Sequence, residues 1–162
     1  MCLPLFGRSV HWMNKTTYEE ELRQHGSLTY TTVGRSMRPF LRSGEDLMVI
    51  RANDGTRCRK YDAVLYKRDS GKYVLHRIIK VREKDYVLSG DNIWMIEKGI
   101  RDDQILGVLT TVIRDGKPLD VNSPGYMRKV KLWWMLYPFR ACLLWSRDMA
   151  IILWRNLKRC RK

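Results

Sequence analysis

Between residues 28 and 114 the chain is a succession of short runs rich in Val, Ile, Leu, Thr and Tyr, cut again and again by turn-forming clusters. Runs at 28–33, 47–51, 63–67, 72–82, 86–88 and 105–114 are mostly too short for helices, and their β-branched and aromatic content suits strands. Arg42-Ser43-Gly44, Asp54-Gly55, Asp69-Ser70-Gly71, Lys84-Asp85, Ser89-Gly90-Asp91-Asn92 and Asp115-Gly116 separate or follow them. Glycine and Asx residues supply the backbone freedom and local hydrogen bonds that turns need. Asp69-Ser70-Gly71 reads as a hairpin loop. Many strands with few helices predict a compact, mainly β domain. A short helix over 16–25 precedes it. Thr16 or Thr17 can cap that helix, Glu19, Glu20 and Glu21 suit its positive N-terminal end, and His25-Gly26 is an ordinary helix stop.

Asn122-Ser123-Pro124-Gly125 marks a boundary, after which composition changes abruptly. The chain then divides into an N-terminal extension and helix (1–27), a β-rich domain (28–121) and a tail (122–162). The whole protein carries 31 Lys and Arg against 17 Asp and Glu. Residues 126–162 hold ten of those cations against the single acid Asp148, together with Trp133, Trp134, Trp145 and Trp154. A basic, Trp-rich segment predicts association with an anionic surface, and a membrane suits it better than a nucleic acid. Past Pro138, Arg140, Arg147 and Lys158 share one helical face and most of the remaining circumference is apolar. Crossing a bilayer takes roughly 20 apolar residues, and Arg140, Arg147 and Asp148 interrupt the run. A helix lying in the headgroup region is favoured over a span or a helix packed on its own domain.

Residues 1–12 lack an adequate signal-sequence core, and Met13, followed by a good helix start, is a candidate initiator. No two of Cys2, Cys58, Cys142 and Cys160 have the close spacing of a zinc site, and the set does not resemble a disulfide framework. Neither a metal nor a cofactor is expected.

Three motifs carry the chemistry. Gly34-Arg35-Ser36-Met37-Arg38-Pro39 places a serine on a tight turn, where Gly34 permits close backbone approach and the Ser36 N–H can aim at a developing oxyanion. A serine hydroxyl needs a base to become a nucleophile. His76, in the strand around Leu75-His76-Arg77, can be that base, since neutral imidazole accepts protons near neutral pH and a neighbouring cation such as Arg77 favours the neutral form. Acids follow on the Gly90-Asp91-Asn92 turn and beyond it. Asp91 or Glu97 could orient the imidazole through its second nitrogen, while Asp102 and Asp103 read as a solvated loop pair.

These motifs resemble the boxes of the signal peptidase and SOS-repressor superfamily of serine peptidases. Gly34 through Leu41, followed by Gly44-Glu45-Asp46, is similar to the nucleophile box. Tyr61-Asp62-Ala63-Val64-Leu65-Tyr66 resembles the next strand, Leu75-His76-Arg77-Ile78-Ile79 the general-base strand, and Gly90-Asp91-Asn92 the last box. The resemblance runs from about residue 28 to 112 with the boxes in family order. A histidine where bacterial relatives carry lysine points to the endoplasmic-reticulum-type branch. The resemblance implies a compact coiled β-domain, Ser36 as nucleophile, His76 as general base, and Glu97 as the acid six residues after Asp91, where the family has aspartate. Gly34 replaces a hydroxyl that helps form the oxyanion hole in some relatives, leaving backbone N–H groups of the turn formed by Gly34, Arg35, Ser36, Met37 and Pro39. The family's usual N-terminal span has no counterpart in residues 1–27, a place the basic tail could fill.

The expectation is therefore a serine endopeptidase that cleaves signal-like or leader peptides in pre-proteins near a membrane surface. The alternative is an inactive peptide- or membrane-binding module of the same fold. A nucleic-acid partner is not expected, because the cations gather in the tail rather than among aromatics on the sheet. Some 27 residues before the β-domain are too few for a self-cleaving repressor's DNA-binding helices.

Overall fold

The computed structural model describes residues 17–31 and 33–160, excluding the side chains of residues 156, 157, 159 and 160. The expectations for residues 1–12, for Met13 and for a cap at Thr16 lie outside the described residues, as does the Cys2 thiol.

Helix α1 (Tyr18–His25) begins at Thr17, whose hydroxyl accepts the Glu20 N–H at 3.3 Å. It ends at Gly26, which takes the left-handed φ of 67° that glycine adopts without strain. His25 lies 3.6 Å from Glu21, and its side chain is exposed. Eight strands follow: β1 (Ser27–Thr31), β2 (Leu47–Ala52), β3 (Ala63–Lys67), β4 (Tyr73–Val81), β5 (Tyr86–Ser89), β6 (Glu97–Ile100), β7 (Ile105–Arg114) and β8 (Lys117–Asp120). They form one antiparallel sheet in the order β1-β2-β7-β3-β4-β5-β6, with β8 on β7. The fold is thus mainly β, with a short N-terminal helix and C-terminal helices.

Strands β6 and β8 are absent from the sequence reading, for physical reasons. Glu97-Lys98-Gly99-Ile100 has little apolar alternation, and Gly99 sits at φ 80°. Lys117-Pro118-Leu119-Asp120 contains a proline, which sheets tolerate at their edges. The insertion of β7 between β2 and β3 is a long-range pairing that local pattern does not specify.

Both faces of the central strands are covered. In β3, Ala63 and Leu65 enter the main core, while Val64 and Tyr66 enter a second cluster with Ile78, Tyr86 and Leu88. This explains why β3 is nearly continuous in apolar residues. The main core is closed by Leu22 of α1, by Met37, Phe40 and Leu41 of the serine loop, and by helix α2 (Pro124–Met135). Pro124 stands at the start of α2, where its missing N–H costs nothing. Tyr126, Val130 and Trp134, spaced four apart, bury one stripe of α2. The compositional boundary at 122–125 is therefore not a boundary in packing. A break at Leu136 leads to helix α3 (Tyr137–Cys160). No helix among the described residues is long and apolar enough to cross a membrane.

Candidate active site

Successive residues of a strand point to opposite faces, and β4 uses this to separate two charged systems. His76 shares a face with Val74 and Ile78, Arg77 with Leu75 and Ile79. Register adds the partners: Val64 lies opposite His76, Ile78 opposite Leu88, and Leu88 opposite Glu97. Glu97, the first residue of β6 rather than a loop acid, thereby arrives beside the imidazole. Its Oε1 lies 3.0 Å from His76 Nδ1. The Tyr66 hydroxyl lies 3.3 Å from the same nitrogen. Arg68 completes the group, its Nε donating to Glu97 Oε2 at 2.8 Å and its Nη2 to Oε1.

Burial raises the Glu97 carboxyl, but hydrogen bonds from His76, Arg68 and Tyr66 outweigh it and hold the group at about 2. Glu97 is an anion at any pH near neutral. A carboxylate only accepts, so in the neutral imidazole the tautomer it selects has the proton on Nδ1 and the lone pair on Nε2. That is the tautomer a general base requires. The Tyr66 phenol is pushed up, first by burial and then by the Glu97 charge, and stays protonated.

Asp91 is elsewhere. Its carboxylate grips Arg77 on the opposite face of β4, Oδ1 accepting from Nε at 2.8 Å and Oδ2 from Nη2 at 2.8 Å. The Trp134 indole N–H also donates to Oδ1 at 2.9 Å. Of the two acids left open by the sequence, Glu97 meets His76 and Asp91 meets Arg77. The expectation that Arg77 favours a neutral imidazole is corrected on the same ground: its charge faces away from His76 and is matched by Asp91. Asp102 and Asp103 are both exposed, as read from the sequence, and Asp102 also accepts from the Tyr86 hydroxyl and, at 2.8 Å, from Arg57.

The serine loop follows β1. Met37, Phe40 and Leu41 plug into the main core and leave Ser36 half-buried. Gly34, with a φ of 122°, needs no room at its α-carbon; it supplies conformation, not close approach. The Arg38–Pro39 peptide bond is cis. The close approach occurs at Gly90, where a β-carbon would stand 2.7 Å from Ser36 O and 2.9 Å from Ile93 Cδ1. Two hydrogen bonds lock the loops together: Asn92 N–H to Ser36 O at 2.7 Å, and Asn92 Nδ2 to Arg35 O at 3.2 Å. Gly90→Ala is expected to cost about 1–3 kcal/mol by overpacking and to displace the Ser36 turn. Thermal melts would read the first effect and any Ser36-dependent turnover the second. A variant with unchanged stability and unchanged turnover would refute this contact.

Ser36 opens onto a groove of about 240 Å³, walled by Tyr30, Thr31 and Val33 on one side and by Tyr73, Val74 and Leu75 on the other. Strand β4 pairs with β3 from Tyr73 onward but with β5 only from Arg77 onward. Residues 73–76 therefore have no second strand partner among the described residues, and Tyr73, Val74 and Leu75 of this stretch line the groove. The imidazole's hydrogen bonds run to Tyr66 and Glu97, and none among the described residues joins it to Ser36. Sequence reasoning missed Tyr66, Arg68 and the groove walls. The alternation of β3 carried the signal for the first two, since Val64, Tyr66 and Arg68 share a parity and Val64 is the partner of His76.

No protein-family model matches this chain, and no curated protein is significantly similar to it.

Proposed function

We propose that this protein is a serine endopeptidase of the signal-peptidase type that cleaves signal-like or leader peptides near a membrane surface. The observation that carries the reading is the His76–Glu97 pair, at 3.0 Å, in a strand whose residues 73–75 line the Ser36 groove. A buried, oriented imidazole with its second nitrogen available has a ready use as a general base. The groove suits an extended peptide added as a strand along residues 73–76. The family resemblance implies small side chains next to the cut bond.

The reaction then runs in two halves. His76 Nε2 takes the Ser36 Oγ proton as Oγ attacks the scissile carbonyl carbon. The carbonyl oxygen becomes an oxyanion, for which the N–H groups of the serine turn are the candidate donors. The imidazolium, stabilised by Glu97, passes its proton to the departing amine, and the acyl group stays on Oγ. Water then attacks the acyl carbon, giving a proton to Nε2, and the imidazolium returns it to Ser36 Oγ as the acyl–oxygen bond breaks and the acid product leaves. Apo sites often hold nucleophile and base too far apart for a hydrogen bond, and the Michaelis complex closes that distance.

The test is cleavage of signal-like and leader-like peptides by the purified protein, with products identified by mass. Cleavage next to small residues supports the reading. A protein that binds such peptides in the groove and never cuts them is instead the inactive module. Glu97→Gln is expected to lower kcat by about 10²–10⁴-fold with little change in KM, because an amide can donate to Nδ1 and stabilise the wrong tautomer. An unchanged kcat would remove Glu97 from the mechanism.

A further inference from the structure

Helix α3 turns an apolar face away from the protein. The body-facing side is fixed by contacts: Tyr137 donates to Trp94 O at 2.6 Å, Arg140 Nη1 to Trp133 O at 2.6 Å, Leu144 is buried, and Asp148 accepts from the Trp94 indole at 3.2 Å. These positions fall three, four and four residues apart, one helical face. Away from these contacts Phe139, Leu143, Leu153 and Trp154 are exposed by 76%, 71%, 63% and 58%. Water meets apolar surface here in a row that continues onto Leu132, Met135 and Leu136 at the end of α2. An open groove of about 410 Å³ adjoins that end, lined by Phe40, Leu119, Leu132, Trp133 and Leu136, with Lys129 at its rim.

We propose that this face seats the protein on the surface of an anionic lipid bilayer, α3 lying in the headgroup plane. Charge selects this occupant. Residues 126–162 carry ten cations against one acid, and Arg147 and Lys158, eleven residues apart on one helical stripe, border the apolar row beside Trp154. Two copies joined through α3 would bring like charges together, whereas anionic headgroups complement them. Trp154, with Lys158 3.8 Å above its ring, is the kind of side chain that favours the membrane boundary. A helix interrupted by Arg147 and Asp148 lies on a bilayer rather than crossing it.

The same arm grips the loop whose Asn92 bonds the Ser36 carbonyl. Trp133 donates to Asp91 O at 2.8 Å, Trp134 to Asp91 Oδ1, and Tyr137 and Asp148 hold Trp94. Docking would therefore set the height of the Ser36 groove above the bilayer. That consequence rests on the peptidase reading, and the docking itself does not.

The test is co-sedimentation of the full chain with vesicles of phosphatidylcholine alone or mixed with phosphatidylglycerol, a readout independent of cleavage. Expected is binding at least about tenfold tighter to the anionic vesicles and falling with salt. Arg147→Gln with Lys158→Gln should weaken it about 25-fold, near five-fold per charge. Leu143→Glu with Leu153→Glu should abolish it, with circular dichroism and melting unchanged because both positions are exposed. Equal binding to the two vesicle types, binding that survives the glutamates, or no binding would each overturn the proposal. No binding together with a dimer mass that Leu143→Glu dissociates would assign the face to a second copy.

Discussion

Ser36→Ala is expected to abolish peptide cleavage, lowering kcat by on the order of 10⁶-fold, with the fold intact. The structural bonds of Ser36 run through its backbone, whose carbonyl accepts the Asn92 N–H at 2.7 Å, and alanine keeps them. The hydroxyl is lost alone. His76→Ala should cost a similar factor, because the serine then has no acceptor for its proton. The double variant should be no worse than either single one, since nucleophile and base act as a unit. Catalytic activity remaining above the uncatalysed rate would come from backbone donors and substrate binding. The measurement is kcat on the best peptide of the panel, with melting temperatures alongside. Turnover retained by Ser36→Ala would sink the serine mechanism, and turnover retained by His76→Ala would sink the base.

How far the sequence displayed this arrangement depends on which interactions are local. Helix α1 and strands β1, β2, β3, β4, β5 and β7 follow from alternation and turn chemistry within a few residues. Ser36, His76 and Glu97 were visible as candidates from motif order. Their geometry was not. Glu97 reaches His76 only through the pairings β4–β5 and β5–β6, and β6 is a polar four-residue strand. The choice between Glu97 and Asp91 turns on the parity of β4, which the sequence displays, and on the identity of its neighbours, which it does not. The tail shows the same limit. Its helical character and charge were legible. That α2 packs into the main core while α3 leaves a face exposed depends on where Tyr126, Val130 and Trp134 find their partners.

Asp91→Ala is expected to destabilise the protein by about 3–5 kcal/mol, the usual cost of breaking a buried ion pair by removing one partner. Asp91 is 0% exposed and Arg77 1%. The guanidinium also donates to Tyr61 O at 2.8 Å and lies 5.2 Å from the Phe40 ring centroid, so it cannot swing out to water without disturbing the core. Alanine would leave that charge unmatched and orphan the Trp134 N–H. Replacing both members, Arg77→Met with Asp91→Leu, removes charge and countercharge together and is expected to recover most of the loss. Denaturant unfolding of the four proteins gives the coupling. The cycle also decides what Asp91 does. As a structural anchor it acts on catalysis only by holding the loop whose Asn92 bonds Ser36, so the double variant should regain peptide cleavage along with stability. A double variant that is stable, binds peptide and does not cleave would place Asp91 in the chemistry and overturn its assignment to Arg77 alone.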